Sequence, residues 1–331
     1  MSDRPQRNIA MELVRVTEAA AMAAARYMGT GDKEGGDRAA VEAMRLMLST
    51  VDMDGVVVIG EGEKDKAPML FNGERVGNGN PPAADVAVDP VEGTNLLALG
   101  RPNALSVIAI AERWSLWNPG PSLYMEKLVV DRRAKDAIDL RLSPTENLHR
   151  IAEALGRPVR ELTVFVLDKP RHQALVNEIR ATGARISLQT DGDVAGALLA
   201  CLPNTGIDVL MGIGGTPEGV LAAVAVKAAG GGMQARRAPQ SDAEYQRVIA
   251  ADEEWDRILT LDDLVQSDDA FFAATGITDG PLLEGVRYYS EEITTHSLVM
   301  RVRTGTLRYI KAIHHIEKLA RISPITYAET R

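Results

Sequence analysis

Apolar positions recur along the chain with two periods. Near the N-terminus Leu13, Val16, Ala20, Ala24 and Tyr27 fall three and four residues apart, which predicts an amphipathic helix over 9–28 stopped at Gly29-Thr30-Gly31. A loop over 32–37 is expected next. Ala39, Ala40, Val41, Ala43, Met44, Met47 and Leu48 then mark a second helix, with Asp37 placed as its N-cap or as a site residue. The unbroken runs Val56-Val57-Val58-Ile59 and Val86-Ala87-Val88 read as strands, the first buried on both faces. Strands continue over 106–111 and 124–130, with a turn at Asn118-Pro119-Gly120-Pro121, and a helix runs from Ser143 to about Leu155 with Gly156 as its stop. The second half alternates: strands at 162–167, 185–188 and 209–213, helices at 170–181, 194–202 and 218–229. Alternation of this length predicts a largely parallel sheet covered by helices, an α/β fold. The segment 233–262 shows only a charged surface excursion with some helix. Residues 297–303 and 306–311 alternate on either side of Thr304-Gly305 and predict a hairpin, followed by His314 and His315.

The polar residues gather where the strands stop. After Val88 come Asp89, Pro90, Val91, Glu92, Gly93 and Thr94; Pro90 is expected to end the ladder, and Gly93 lets backbone approach a ligand closely. After Ile59 come Gly60-Glu61-Gly62-Glu63-Lys64-Asp65. Later strand ends carry Asp168-Lys169-Pro170-Arg171-His172, Asp191-Gly192-Asp193 and the Gly-rich 212–219 with Pro217 and Glu218. In open α/β sheets ligands bind beyond the carboxyl ends of the strands. Asp37, Glu61, Asp89, Glu92 and Glu218 offer only oxygen, which suits hard cations such as Mg²⁺ or Mn²⁺. Two such ions roughly 3.5–4 Å apart clamp a phosphoryl group and lower the pKa of a water. Thr94 and Asp65 form a natural pair for orienting an attacking water or activating a nucleophile. Lys169 and Arg171 suit phosphate, and Asp191 and Asp193 suit sugar hydroxyls. Plainer readings stand beside these: Asp89 and Glu92 as a solvated turn, Glu218 as a first-turn acid after Pro217, Asp191 or Asp193 as a helix N-cap.

Composition narrows the partners. At 331 residues with 45% hydrophobic and 25% charged, the chain has ample core, and its length predicts one large α/β unit with two subdomains, or two intimate domains. We set them at 9–160, metal-binding, and 161–331, α/β, with the substrate site between. A net charge of −9 argues against nucleic acid or an anionic membrane surface, so an anionic substrate must be met by local cations or metal ions. Cys201, the single cysteine, lies in an apolar run and reads as a buried structural thiol. With no signal-peptide pattern and no membrane-length apolar stretch, a cytoplasmic location is expected. The hairpin edge suggests a homo-oligomer, dimer or tetramer.

The chain resembles the class II fructose-1,6-bisphosphatases of bacteria, in the lithium-sensitive sugar-phosphatase superfamily, over residues 11–315. The matching segments include Gly31-Asp32-Lys33 with Asp37, Val58 to Glu63, Ala67-Pro68-Met69-Leu70, Ala87 to Pro90, Glu92-Gly93-Thr94, Tyr124-Met125-Glu126-Lys127, Lys169 to His172, Asp191-Gly192-Asp193, Gly212 to Gly219, and Ala274 to Thr278. The resemblance implies a layered α/β/α/β/α fold with mixed sheets. It implies Mg²⁺ or Mn²⁺ on Asp37, Glu61, Asp89, Glu92 and Glu218, and a substrate site of Glu92, Gly93, Thr94, Tyr124, Lys169, Pro170, Arg171, Asp191, Gly192, Asp193 and Gly215. It makes Thr94 and Asp65 the catalytic pair, with the choice between water and the threonine oxygen as attacking group open and water favoured. The implied reaction is hydrolysis of the 1-phosphate of fructose 1,6-bisphosphate in gluconeogenesis. Sedoheptulose 1,7-bisphosphate or inositol phosphates are alternative substrates, and a non-catalytic regulatory relative is disfavoured because the five carboxylates, Thr94 and Asp65 are all retained. Glu92 stands where superfamily members often carry Asp.

Overall fold

The computed structural model describes residues 8–62, 69–322 and 325. Ala10–Ala25 forms α1 and Lys33–Leu48 forms α2. α2 begins within the expected loop because Asp32 caps it, its Oδ1 accepting the Gly35 N–H at 2.9 Å. Asp37 is therefore inside the helix and not at its cap. Gly36 lets α2 pack closely: a Cβ there would sit 2.8 Å from Leu97 Cδ2.

β1 (Asp54–Ile59), β2 (Arg75–Val76), β3 (Ala83–Glu92) and β4 (Leu105–Glu112) follow, with α3 (Thr94–Ala98) between the last two. β1 alternates buried and half-buried positions, where burial on both faces was expected. Then come β5 (Tyr124–Val130), α4 (Pro144–Leu155), β6 (Thr163–Leu167), α5 (Gln173–Ala181), β7 (Arg185–Gln189), α6 (Asp193–Cys201), β8 (Val209–Gly215) and α7 (Thr216–Ala229), which match the predicted alternation apart from their ends. The 233–262 segment is no mere surface excursion. It supplies most of β9 (Gly232–Arg237), then α8 (Asp242–Ala251), β10 (Leu259–Thr260) and α9 (Leu261–Leu264). β11 (Ala270–Gly276), β12 (Arg287–Tyr288), β13 (Glu292–Arg301), β14 (Thr306–His315) and α10 (Ile316–Ile322) complete the order. The predicted hairpin is β13–β14, longer than expected. Its pairing runs from Arg301 opposite Thr306 to Glu292 opposite His315, so His314 and His315 belong to the strand.

The first sheet orders β12-β13-β11-β4-β3-β1-β2, with β14 on the other side of β13; the second orders β10-β9-β5-β8-β6-β7. Both are mixed. Of the second, only β6–β7 and β6–β8 pair in parallel, while β5 pairs antiparallel with both β8 and β9. The expected parallel sheet is thus a three-strand portion of a mixed one. The sheets also do not divide at Arg160: β5 joins the later strands, and β11 to β14 return to the N-terminal sheet.

Side-chain alternation sorts the core into layers. Val107 and Ala109 of β4 and Phe272 of β11 share one cluster with α6, α7 and Met125 and Val129 of β5; Ile108, Ile110 and Phe271 face a second cluster with α1 and α2. Leu128 and Val130 of β5 join α4 and α5 in a third. The stacking is α1/α2, first sheet, α6/α7, second sheet, α4/α5, the expected five layers. α6 and α7 lie between two sheets, which is why α7 is apolar almost all round, with Val220 to Val226 buried.

Candidate active site

The ends of this sandwich bring the polar segments to one place. On β3 the register against β4 shifts between Asp89 and Glu92. The expected stop at Pro90 is in fact a bulge through which the strand continues to Glu92. In a regular strand residues three apart point to opposite faces; the bulge lets Asp89 and Glu92 line the same cavity. Asp89 Oδ1 accepts the Val91 N–H at 3.1 Å, fixing that turn. Glu61 leaves β1 through Gly60, where a Cβ would meet the Leu70 carbonyl oxygen at 2.0 Å, so only glycine fits. Left-handed glycines open two of the cleft helices: Gly93 (φ 84°) before Thr94 and Gly192 (φ 98°) before Asp193. Neither Asp191 nor Asp193 caps α6 with its side chain, since Gly192 is the N-cap.

One cleft of about 760 Å³ is lined by Asp37, Glu61, Asp89, Glu92, Gly93, Thr94, Tyr124, Lys169, Arg171, Asp191, Gly192, Asp193, Gly215 and Glu218. Pro170 is not among the lining residues but starts the 3₁₀ turn that carries Arg171, with Lys169 as its N-cap. Asp65 lies outside the described residues. Lys33 and Asn95, not singled out from the sequence, also line the cleft.

Seven carboxylates face three cations in this lining. Burial raises the pKa of every one of the five candidate ligands. Glu92 is pushed up to about 8 against the lowering effect of its bond from the Val194 N–H, with Asp193, Glu218 and Asp191 adding repulsion. Glu61 rises to about 7 through burial, Asp37 and Glu218. Asp89 rises well above its usual range through burial and four neighbouring acids, and Asp37 and Glu218 rise chiefly through burial. Glu92 Oε1 accepts the Val194 N–H at 3.0 Å, but Glu92 Oε2 and Glu218 Oε2 are buried with no hydrogen-bond partner among the described residues. Orphaned buried carboxylate oxygens amid excess negative charge fit a divalent cation. Among the described residues no three of these side chains already form a closed ligand set. Such closure is not required of Mg²⁺, which keeps several waters and shares its shell with substrate phosphates.

Two of the cleft's cations, Lys169 and Arg171, are braced. Arg171 donates from Nε and a terminal nitrogen to the Ile213 carbonyl at 3.0 and 2.8 Å, leaving other donors of its guanidinium for a ligand, and it stacks over Tyr124 at 5.2 Å. Lys169 Nζ pairs with Asp191 Oδ1 at 3.2 Å, and Asn95 donates to Asp191 Oδ2 at 2.8 Å. His172 is buried, its Nε2 accepting the Ile213 N–H and its Nδ1 bonding the Leu167 carbonyl, each at 2.7 Å. That bridge ties the ends of β6 and β8. Glu244 of α8 is also buried and accepts the N–H groups of Leu123 and Tyr124 at 2.7 and 3.0 Å. Nothing in the sequence around 233–262 announces it. Lys127 had a readable signal: alternation along β5 puts it on the inward face with Met125 and Val129.

The model of a family described as "Bacterial fructose-1,6-bisphosphatase, glpX-encoded" matches residues 7–314. The chain is 45% identical over 326 residues to "Fructose-1,6-bisphosphatase 1 class 2" of Escherichia coli (strain K12), covering 95% of this chain and 97% of that protein. It has the same identity and coverage with "Fructose-1,6-bisphosphatase class 2" of Shigella flexneri.

Proposed function

The chain belongs to the bacterial, glpX-encoded fructose-1,6-bisphosphatase family, and we infer that it removes the 1-phosphate of fructose 1,6-bisphosphate to give fructose 6-phosphate, a step of gluconeogenesis. The observation that carries this reading is the carboxylate cluster, with the buried Glu92 Oε2 and Glu218 Oε2 unpartnered among the described residues, in one cleft with Lys169 and Arg171. The family implies a divalent metal cofactor. We assign it as Mg²⁺ or Mn²⁺, held by Asp37, Glu61, Asp89, Glu92 and Glu218. When bound, such ions neutralise phosphate oxygens and acidify a water.

We assign the remaining roles on the resemblance and, for the described residues, on their place in the cleft. Thr94, paired with Asp65, orients the attacking water through its hydroxyl. Lys169 and Arg171 hold the distal phosphate, with Pro170 fixing their turn and Tyr124 supporting the guanidinium. Gly93, Gly192 and Gly215 keep backbone close to the substrate. Asp191 accepts from sugar hydroxyls, as does Asp193 through the oxygen not held by Lys127. No described helix is long and apolar enough to cross a membrane, and a sugar-phosphate substrate accords with a cytoplasmic location. A homo-oligomer, dimer or tetramer, would form against β14, whose outer edge is unpaired among the described residues.

The test is phosphate release with Mg²⁺ or Mn²⁺ from fructose 1,6-bisphosphate, sedoheptulose 1,7-bisphosphate and inositol phosphates. The first is expected to give the highest kcat/KM. No turnover on any of them would sink the enzyme reading.

A further inference from the structure

Lys127 is 2% exposed, and a buried ammonium demands compensation. Its Nζ donates to Asp193 Oδ2 and, at 2.8 Å, to the Gly215 carbonyl. The pocket around it is built to fit. A Cβ on Gly214 would meet Asp193 Oδ2 at 2.0 Å and the Lys127 Nζ at 3.0 Å, and one on Gly219 would meet the lysine Cδ at 3.3 Å. The lysine thus lies under the first turn of α7 and reaches the first residue of α6, and both helices line the cleft.

Asp193 is buried, as Glu92 is, and stands among the metal-site acids, with Glu92 and Glu218 close enough to feel its charge. What distinguishes it is its partner: one of its oxygens is already satisfied by a fixed cation, whereas Glu92 and Glu218 each keep an oxygen bare. We propose that Lys127 is a positioning residue that reserves Asp193, keeping it out of the metal-ligand set and holding its second oxygen for the substrate. The internal ammonium decides which carboxylates of the cleft a divalent ion reaches. This rests on the metal reading of the cleft given above.

The test is Mn²⁺ binding by calorimetry to full-length, chelator-stripped protein. Lys127→Met frees Asp193 to act as an additional ligand. The expected result is Mn²⁺ affinity raised about tenfold or an added site, since one unscreened charge at close range outweighs the ~1.4 kcal/mol that a tenfold change represents, with kcat reduced. Damage to the fold alone would weaken Mn²⁺ binding. The double variant Lys127→Met/Asp193→Asn leaves no freed carboxylate and returns affinity to the wild-type value. Should Lys127→Met fold poorly, Mn²⁺ is expected to raise its Tm by more than it raises that of the wild type. Unchanged or weaker Mn²⁺ binding in folded Lys127→Met, a smaller Mn²⁺ effect on Tm in a poorly folding one, or a double variant as tight as the single, overturns the proposal. Wild-type protein that binds no Mn²⁺ removes the metal reading and this inference together, whereas a normal wild-type isotherm beside an unchanged variant removes only this one.

Discussion

Glu92 is 3% exposed, with one oxygen on the Val194 N–H and the other bare, and burial lifts its pKa from 4.5 to about 8. A carboxyl with a raised folded pKa binds more protons folded than unfolded between the two values, so stability falls as pH rises through that window. Glu61, lifted to about 7, acts in the same sense. The metal-free protein is therefore expected to lose Tm as pH goes from about 5 to about 8, and added divalent ion to reverse most of the loss; a flat metal-free profile in thermal melts would contradict this. Glu18 gives a built-in comparison. It is buried away from the cleft, accepts the Thr295 hydroxyl at 2.8 Å and is also lifted to about 7 by burial, so Glu18→Gln should remove a part of the slope that metal leaves untouched. For Thr94→Ala we expect kcat reduced by about 10²-fold or more with an unchanged melt; wild-type rates would take Thr94 out of the mechanism. The candidate carboxylates were readable as residues beside glycines at strand ends. Lys127 was visible only through the period of β5, and Asp193's commitment to it only in three dimensions.

At the scale of elements, backbone contacts that permit only glycine set the geometry. Gly60→Ala would drive a Cβ into the Leu70 carbonyl oxygen, and backbone cannot yield as a side chain does. We expect a loss of about 1–3 kcal/mol in denaturant unfolding, with weakened metal binding as Glu61 is displaced. Glu244→Ala leaves the half-buried Leu123 and Tyr124 N–H groups without their acceptor, at about 1 kcal/mol. Because those groups seat Tyr124 under Arg171, KM for the bisphosphate should rise more than kcat falls; equal effects would argue for a general loss of fold. The elements themselves were unequally legible. β6, β7 and β8 announced themselves as short apolar runs between helices. β9, Gly232-Met233-Gln234-Ala235-Arg236-Arg237, has no β-branched residue and is a strand because β5 and β10 flank it. The continuation of β3 past Pro90 escaped a rule that holds for regular ladders and is relaxed at bulges.

The whole molecule stacks five layers so that α6 and α7, buried between two sheets, deliver their N-termini to the same cleft that receives β3 and α2. Chain order concealed this, since β11 to β14 close the sheet that the N-terminus opens; local periodicity carries no record of such returns. The central claim is that this cleft, with divalent ions on its carboxylates, hydrolyses the 1-phosphate of a sugar bisphosphate. Phosphorus NMR of fructose 1,6-bisphosphate under the full-length protein tests it directly, with chelator and then with Mg²⁺ or Mn²⁺ restored. No change is expected under chelator, then loss of the 1-phosphate signal as fructose 6-phosphate and inorganic phosphate appear. Release that persists at full rate under chelator, loss of the 6-phosphate instead, or no release with metal present would contradict it.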